Sequence, residues 1–301
     1  MTDKGKKVFK ESCRICGDAE WSVLYNGPIR VGKFGDWSKS DHTIWKCSNC
    51  QAGFLNQVPL NYESAIYRNL VDGSSSPEDY YTLHDGEQAN KLKILGTEKL
   101  RGKVLADIGC GAGSFLDLVK GYASKTIAVE PAHLFQQELR NKGHKTYSYC
   151  KDALKDWEGA IDIAVSFAVI EHLENPLEFL KEIKLLLKPD GFLLVSTPNY
   201  QDWLIDFLPA VYDRFFFRYV HLWYFTGNSL EKLGSLAGFS KVNIKYIQRY
   251  DLSNALFWIR DHRPTGQGKT SVFRDLDAIY KMTLEKQERT DFIYAQMKRE
   301  A

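Results

Sequence analysis

The sequence predicts an α/β protein: a doubly wound, mostly parallel sheet, preceded by a small four-cysteine ribbon and followed by a helical tail. Three observations carry this. From Lys103 onward, short aliphatic and β-branched runs alternate with helical stretches. The first run leads directly into a glycine-rich turn, Asp107-Ile-Gly109-Cys-Gly111-Ala-Gly113. Ahead of it stand two C-x-x-C pairs, Cys13-Arg-Ile-Cys16 and Cys47-Ser-Asn-Cys50.

The first element is the ribbon, residues 1–60. Two residues between cysteines let both sulfurs of one turn face a single tetrahedral ion. Gly17 and Gly53 ease the turns beside them. The segments around Trp21–Tyr25 and Asp41–Lys46 alternate apolar and polar residues, as strands do. The expectation is one structural zinc ion held by Cys13, Cys16, Cys47 and Cys50, with no open position for catalysis. Residues 61–102 turn helical and polar, interrupted by a loop at Gly73–Pro77, and read as a helical connector.

Next comes the sheet domain, residues 103–262. Strands are predicted at Lys103–Ile108, Lys125–Glu130, Ile161–Ser166, Gly191–Ser196 and Lys241–Ile247. Helices are predicted from Ser114, Leu134, Pro176 and Ser229. Cys150 reads as the end of a further strand, and Asn254–Ile259 as an antiparallel seventh strand. Residues 263–301 read as a charged, helical C-terminal extension.

Composition agrees with a soluble globular protein of this size. The 301 residues are 44% apolar and 26% charged, which excludes a wholly disordered or collagen-like chain. Forty basic and 38 acidic residues leave a net charge of +2. That balance is too even for a protein whose main task is gripping nucleic acid. The N-terminus lacks an apolar signal region, and no 18-residue apolar run offers a membrane span. A cytosolic location is expected, where six cysteines are thiols or metal ligands rather than disulfides.

The glycine-rich turn follows a strand and opens a helix, the place where open α/β sheets bind ligands. Glu130, at the end of the next strand, can accept hydrogen bonds from both ribose hydroxyls, so a nucleoside is expected. The turn lacks the third glycine of a dinucleotide fingerprint, since Ser114 stands there. It lacks the lysine of a P-loop as well. Its leading Asp107 would repel a pyrophosphate and welcome a cationic sulfonium or amino group.

This acidic-x-Gly-x-Gly-x-Gly pattern resembles the first motif of class I S-adenosylmethionine-dependent methyltransferases, which have a Rossmann-like fold. The resemblance runs from Lys103 to Phe239. It includes Glu130, Asp152-Ala153, Phe167-Ala-Val-Ile-Glu171-His172-Leu-Glu-Asn-Pro176, Leu187–Gly191 and Ala237-Gly-Phe239. It implies that S-adenosylmethionine lies on Asp107, Gly109, Gly111, Gly113 and Glu130. Asp152 and Ala153 then lie beside the adenine, and Phe167 near the sulfonium.

An oxygen or carbon acceptor needs a base as well as alignment. Glu171-His172, after the fourth strand, and His221 are the candidate catalytic residues. His221 lies at the end of an aromatic insertion, residues 198–225, in which eleven residues from Tyr200 to Phe225 are aromatic. Such a segment suits an acceptor pocket or a lid. It equally suits a hairpin packed on the core or against a second subunit in a homodimer. Tyr224, Arg249 and Asn254 are the candidate substrate-binding residues, Arg249 as a phosphate partner.

A zinc module ahead of such a domain resembles bacterial methyltransferases of sugar and surface-glycan biosynthesis, including nucleotide-sugar C-methyltransferases. That resemblance implies a small polar acceptor, a nucleotide sugar or glycan precursor, methylated on oxygen or carbon. The C-methyltransferases carry a further full domain where this sequence has residues 263–301, which puts carbon methylation in doubt. The fourth-strand motif also resembles ubiquinone-type O-methyltransferases. Those place a metal-binding Glu where Ala168 stands here, so catalytic magnesium is not expected. Three rival readings remain: an RNA methyltransferase that grips RNA with its ribbon, a small-molecule phenol- or quinone-type O-methyltransferase, and a non-catalytic cofactor-binding scaffold.

Overall fold

A computed structural model describes residues 9–266 and 273–300 of the chain. Lys4, Lys6 and Lys7 of the ribbon and residues 267–272 of the tail lie outside the described residues. The ribbon comprises β1 (Trp21–Gly27), β2 (His42–Cys47) and β3 (Gly53–Leu55), joined antiparallel. Two helices follow, α1 (Ala65–Val71) and α2 (Pro77–Leu95). Each opens on a serine side chain, Ser64 or Ser76, that accepts a backbone N–H of the first turn.

The sheet domain then runs β4 (Val104–Ile108), α3 (Ser114–Val119), β5 (Lys125–Val129), α4 (His133–Asn141), β6 (Lys145–Tyr147) and α5 (Cys150–Trp157). It continues through β7 (Ile161–Phe167), α6 (Pro176–Leu186) and β8 (Leu187–Pro198). The aromatic insertion supplies α7 (Trp203–Phe207), α8 (Pro209–Phe216) and β9 (Trp223–Tyr224). Last come α9 (Gly227–Leu236), β10 (Lys241–Ile247), α10 (Leu252–Asp261), α11 (Arg274–Lys286) and β11 (Phe292–Lys298).

Seven strands form one sheet in the order β10-β11-β8-β7-β4-β5-β6. β4 to β8 are parallel, and β11 runs antiparallel to both of its neighbours. The central parallel strands are buried on both faces, while β6 at the sheet edge is partly exposed. On β4, Ala106 and Ile108 enter one core while Leu105 enters the other. The chain reverses its direction of travel across the sheet between β4 and β7, which is the ligand-binding switch point.

The structure corrects three expectations. Cys150 opens α5 rather than ending a strand. Residues 254–259 lie in α10, whose first turn is capped by the Asp251 side chain accepting from Asn254 N at 2.8 Å. The antiparallel strand is instead Phe292–Lys298, so the C-terminal extension is not wholly helical and belongs to the sheet. Its FIYAQMK sequence is buried on both faces, so it lacks the polar alternation of a half-exposed strand.

The ribbon is not a free-standing module. β3 pairs with β9, matching Gly53 with Tyr224 and Phe54 with Trp223. Ile29, Ile44 and Leu55 of the ribbon share a core with Ile205, Tyr212 and Phe217 of the insertion and with Trp258 of α10. Most of the aromatic insertion is thus the glue between ribbon and sheet domain.

Candidate active site

The four ribbon cysteines converge. Cys13 Sγ lies 3.6 Å from Cys50 Sγ, and Cys16 Sγ lies 3.5 Å from Cys47 Sγ. All four sulfurs fall within 4.8 Å of one another. Zn–S bonds of about 2.3 Å in a tetrahedron put sulfurs about 3.8 Å apart, so the donor set fits a structural zinc ion.

A cavity of about 1120 Å³ opens at the switch point between β4 and β7. Its floor includes Ile108 at the end of β4 with Gly109 after it, Glu130 after β5, and Phe167 at the end of β7 with Glu171 and His172 beyond it. Gly109, Gly111 and Gly113 all have positive φ, at 78°, 57° and 89°. All three also face close neighbours, Gly113 facing Leu139 Cδ2 at 2.6 Å from where a Cβ would stand. A Cβ on Gly111 would stand 2.3 Å from Tyr80 Cζ, and one on Gly109 would stand 2.4 Å from Val169 Cγ2.

Asp107 is buried, and burial raises its carboxyl to about 7, with Lys91 opposing the shift and Glu130 reinforcing it. Glu130 accepts Gly111 N at 2.8 Å and Ala132 N at 2.9 Å. Each of its oxygens keeps a lone pair for a ligand hydroxyl. A buried carboxylate without an ion-pair partner, a bare glycine cradle and a tethered second carboxylate fit a cationic nucleoside such as S-adenosylmethionine. Phe167 lies in the wall, edge-on to Phe115 at 5.1 Å. Asp152 and Ala153 do not reach the wall. Asp152 accepts Tyr149 N at 3.2 Å within α5, and its neighbours Tyr149 and Cys150 line the cavity instead.

Across the floor, Glu171, His172 and His221 place one donor atom each within 4.8 Å of one another. His172 Nδ1 donates to Val220 O at 2.8 Å, so Nε2 carries its free lone pair. Burial, with Arg218 adding to it, lowers His172 to about 3. Burial and the charges of His172, Arg218 and Arg30 push His221 well below its usual value. Burial raises Glu171 to about 7, and its Oε2 has no hydrogen-bond partner. One carboxylate and two imidazoles form a donor set suited to a transition metal ion rather than magnesium.

The substrate-binding candidates fare differently. Arg249 reaches the cavity, but its Nε donates to Asp291 Oδ2 at 2.7 Å and its guanidinium covers the Phe292 ring at 3.7 Å. Its charge is neutralised within the fold, which removes it as a free phosphate partner. Tyr224 is buried in β9, where its hydroxyl exchanges 3.0 Å hydrogen bonds with the backbone of Arg218. Asn254 lines a separate cavity of about 30 Å³ and accepts Thr265 N at 3.0 Å. Neither Tyr224 nor Asn254 faces the large cavity.

The connector supplies functional residues that sequence reasoning missed. Tyr80, His84, Glu87, Lys91 and Ile94 of α2 all line the cavity. Their spacing of four, three, four and three residues places them on one helical face, a signal available in the sequence. Tyr80 and Tyr81 also clamp the glycine turn, their hydroxyls facing Cys110 O at 3.4 Å and Ala112 O at 3.0 Å.

Fold and site together define an S-adenosylmethionine-dependent methyltransferase. Residues 85–244 match the family described as methyltransferase domain, and the chain belongs to that family. Its curated relatives include a ubiquinone biosynthesis O-methyltransferase of Neisseria meningitidis, 28% identical over 131 residues, covering 40% of this chain and 55% of that one. The Caulobacter vibrioides enzyme of the same description is 33% identical over 107 residues, covering 33% and 42%. A tRNA U34 carboxymethyltransferase of Pseudoalteromonas translucida is 29% identical over 108 residues, covering 33% of each chain. The chain spans about half or less of the length of these relatives. A solved S-adenosylmethionine-dependent methyltransferase from Archaeoglobus fulgidus superposes with TM-score 0.52 at 18% identity, covering 74% of this chain and 97% of that one. Phosphoethanolamine N-methyltransferase 2 of Haemonchus contortus superposes with TM-score 0.50 at 11% identity, covering 80% and 61%. At these identities the structural likeness is one of fold.

Proposed function

We propose that this methyltransferase methylates a hydroxyl of a small polar acceptor, and that a nucleotide sugar or related glycan precursor is the class that fits best. The observation that carries the reading is the shared cavity. Glu130 and Gly109 line one part of it, and His172, His221 and Phe216 another. At about 1120 Å³ it exceeds the 300–1,000 Å³ typical of a single-ligand site and suits two ligands held side by side.

S-adenosylmethionine, when bound, supplies an electrophilic methyl group on a sulfonium. The chain's own residues do the rest. Asp107 and Glu130 hold the cofactor's amino group and ribose. Phe167 keeps water from its reactive end. His172 Nε2 would take the proton of the acceptor hydroxyl, leaving an alkoxide-like oxygen to accept the methyl group. Glu171 in its anionic form steadies the imidazolium that results, and His221 braces the His172 ring.

The relatives named for ubiquinone biosynthesis favour a second reading, a phenolic hydroxyl as acceptor. Mass-resolved methyl transfer onto nucleotide sugars, phenols and RNA decides between them. Transfer to a nucleotide sugar supports the first reading, and transfer confined to phenols or RNA overturns it.

A further inference from the structure

Two of the arginines in the cavity wall have a carboxylate partner. Arg68 pairs with Asp72, and Arg249 with Asp291. Arg30 and Arg218 are different. Both line the cavity, and both are half-buried. Among the described residues neither forms an ion pair with a carboxylate. The Nε of each is buried without a hydrogen-bond partner.

The fold holds this pair of like charges together deliberately. Arg30 lies in the loop between β1 and β2, and Arg218 in the segment between α8 and β9. Their backbones are bridged: Arg30 N donates to Phe217 O at 2.9 Å, and Tyr219 N donates to Arg30 O at 2.8 Å. Arg218 Nη2 is tied to Val71 O at 2.7 Å and Leu70 O at 3.3 Å. The Arg30 guanidinium is held over the Phe215 ring at 4.2 Å. Two desolvated guanidinium groups side by side repel each other unless an anion lies between them. Burial, reinforced by Arg218, lowers Arg30 to about 9.

We propose that Arg30 and Arg218 form a phosphate-binding subsite that seats a phosphate or diphosphate group of the acceptor beside the His172–His221 pair. Planar guanidinium forks match phosphate oxygens two at a time. A carboxylate brings one negative charge and leaves one arginine uncompensated, whereas a phosphate dianion or a diphosphate answers both. The subsite rests on the reading that this cavity holds the acceptor, and it names the acceptor's chemistry: a phosphorylated small molecule. It also gives the ribbon a task, because the ribbon supplies Arg30.

Calorimetry on the full zinc-loaded chain tests this. The titrants are inorganic pyrophosphate, a nucleoside diphosphate and a sugar 1-phosphate, with S-adenosylhomocysteine titrated separately. At least one phosphate compound should bind the wild type. Arg30→Gln should weaken it tenfold or more and leave S-adenosylhomocysteine affinity within twofold. Arg30→Lys should recover part of the loss. Arg218→Gln is read only if its thermal midpoint and S-adenosylhomocysteine affinity match wild type, and Arg30→Gln decides by itself otherwise. Absence of phosphate binding in the wild type, or unchanged binding in Arg30→Gln, overturns the subsite. An oligoribonucleotide bound more tightly than the diphosphates and lost in the same variant overturns the small-molecule assignment. The phosphate titrations need no cofactor, so failure of the methyltransferase reading appears separately, as a wild type that does not bind S-adenosylhomocysteine.

Discussion

The imidazole rings of His172 and His221 meet edge to face, their centroids 4.8 Å apart and their planes at 89°. The two residues are 49 positions apart in sequence, and the chain brings them together by two routes. His172 follows β7. His221 sits just before β9, where Leu222 N donates to Glu171 O at 2.8 Å. Of the pair, His172 has an imidazole nitrogen fixed by a backbone carbonyl, Nδ1 donating to Val220 O. That fixes its tautomer and leaves Nε2 free for the proposed role as base.

The first prediction follows. His172→Ala should lower kcat by about 10²–10⁴-fold, the usual contribution of a general base. His221→Ala should act mainly on KM, because it loses a ring that orients the base and faces the acceptor. Steady-state kinetics on the true acceptor checks both variants. Wild-type turnover in His172→Ala would leave proximity alone to carry the reaction.

The second concerns pH and Asp107. Its carboxyl sits near 7 in the free protein because it is buried. A cationic ligand requires the deprotonated form, so binding must expel a proton below that pH. S-adenosylmethionine affinity should therefore rise with pH and level off above about 7, standing about tenfold below the plateau at pH 6. Asp107→Asn should flatten this dependence. The stability consequence has the same origin. The folded pKa is raised above the unfolded 3.8, so the contribution of protonated Asp107 is full below about 4 and is lost as pH rises toward 7. A cofactor affinity independent of pH in the wild type would contradict the assignment.

Sequence reading reached the sheet and the glycine-rich turn at its switch point because both rest on local signals. β4, the glycine turn and α3 follow one another without a break, and Glu130 stands at the end of the next strand. The acceptor side depends on long-range pairing, which no local pattern records. Arg249 reads as a free cation until the pairing of β11 brings Asp291, just before that strand and 42 residues downstream, to it. Asn254 is withdrawn because the Asp251 cap turns residues 252–261 into a helix. Arg30 and Arg218 become one feature only through a bridge between the ribbon and the insertion.

The third prediction tests the tethered carboxylate. Glu130→Ala removes a ribose acceptor and also orphans the amides of Gly111 and Ala132. Hydrogen bonds to a charged group are worth about 1.5–3 kcal/mol. Cofactor affinity should fall about tenfold or more, and the thermal midpoint should fall with it. Glu130→Gln keeps a carbonyl acceptor and should lose less on both counts. Calorimetry and thermal melts on the two variants report this, and an unchanged dissociation constant in Glu130→Ala would exclude Glu130 from the cofactor site.

The fourth prediction joins the metal to the acceptor. One zinc ion per chain should be found by metal analysis, and its binding can contribute about 10–16 kcal/mol to the ribbon's folding. The ribbon's own apolar content is modest, and it completes its sheet on β9 and its core on the aromatic insertion. Removing the ion should therefore loosen Arg30 and the segment from Arg218 to Tyr224. β4 and β5 of the proposed cofactor cradle do share a core with the ribbon, where Ala106, Ile108, Ile127 and Val129 cluster with Cys13, Cys47, Cys50 and Phe54, but their backbones are held by parallel pairing within the seven-stranded sheet. Chelation or Cys13→Ser should then abolish methyl transfer and lower the thermal midpoint, while S-adenosylhomocysteine still binds within a few-fold of wild type. Equal loss of cofactor binding would mean that ribbon and sheet domain unfold as one unit. Zinc-free protein with full activity and an unchanged melt would remove the metal from the structure altogether.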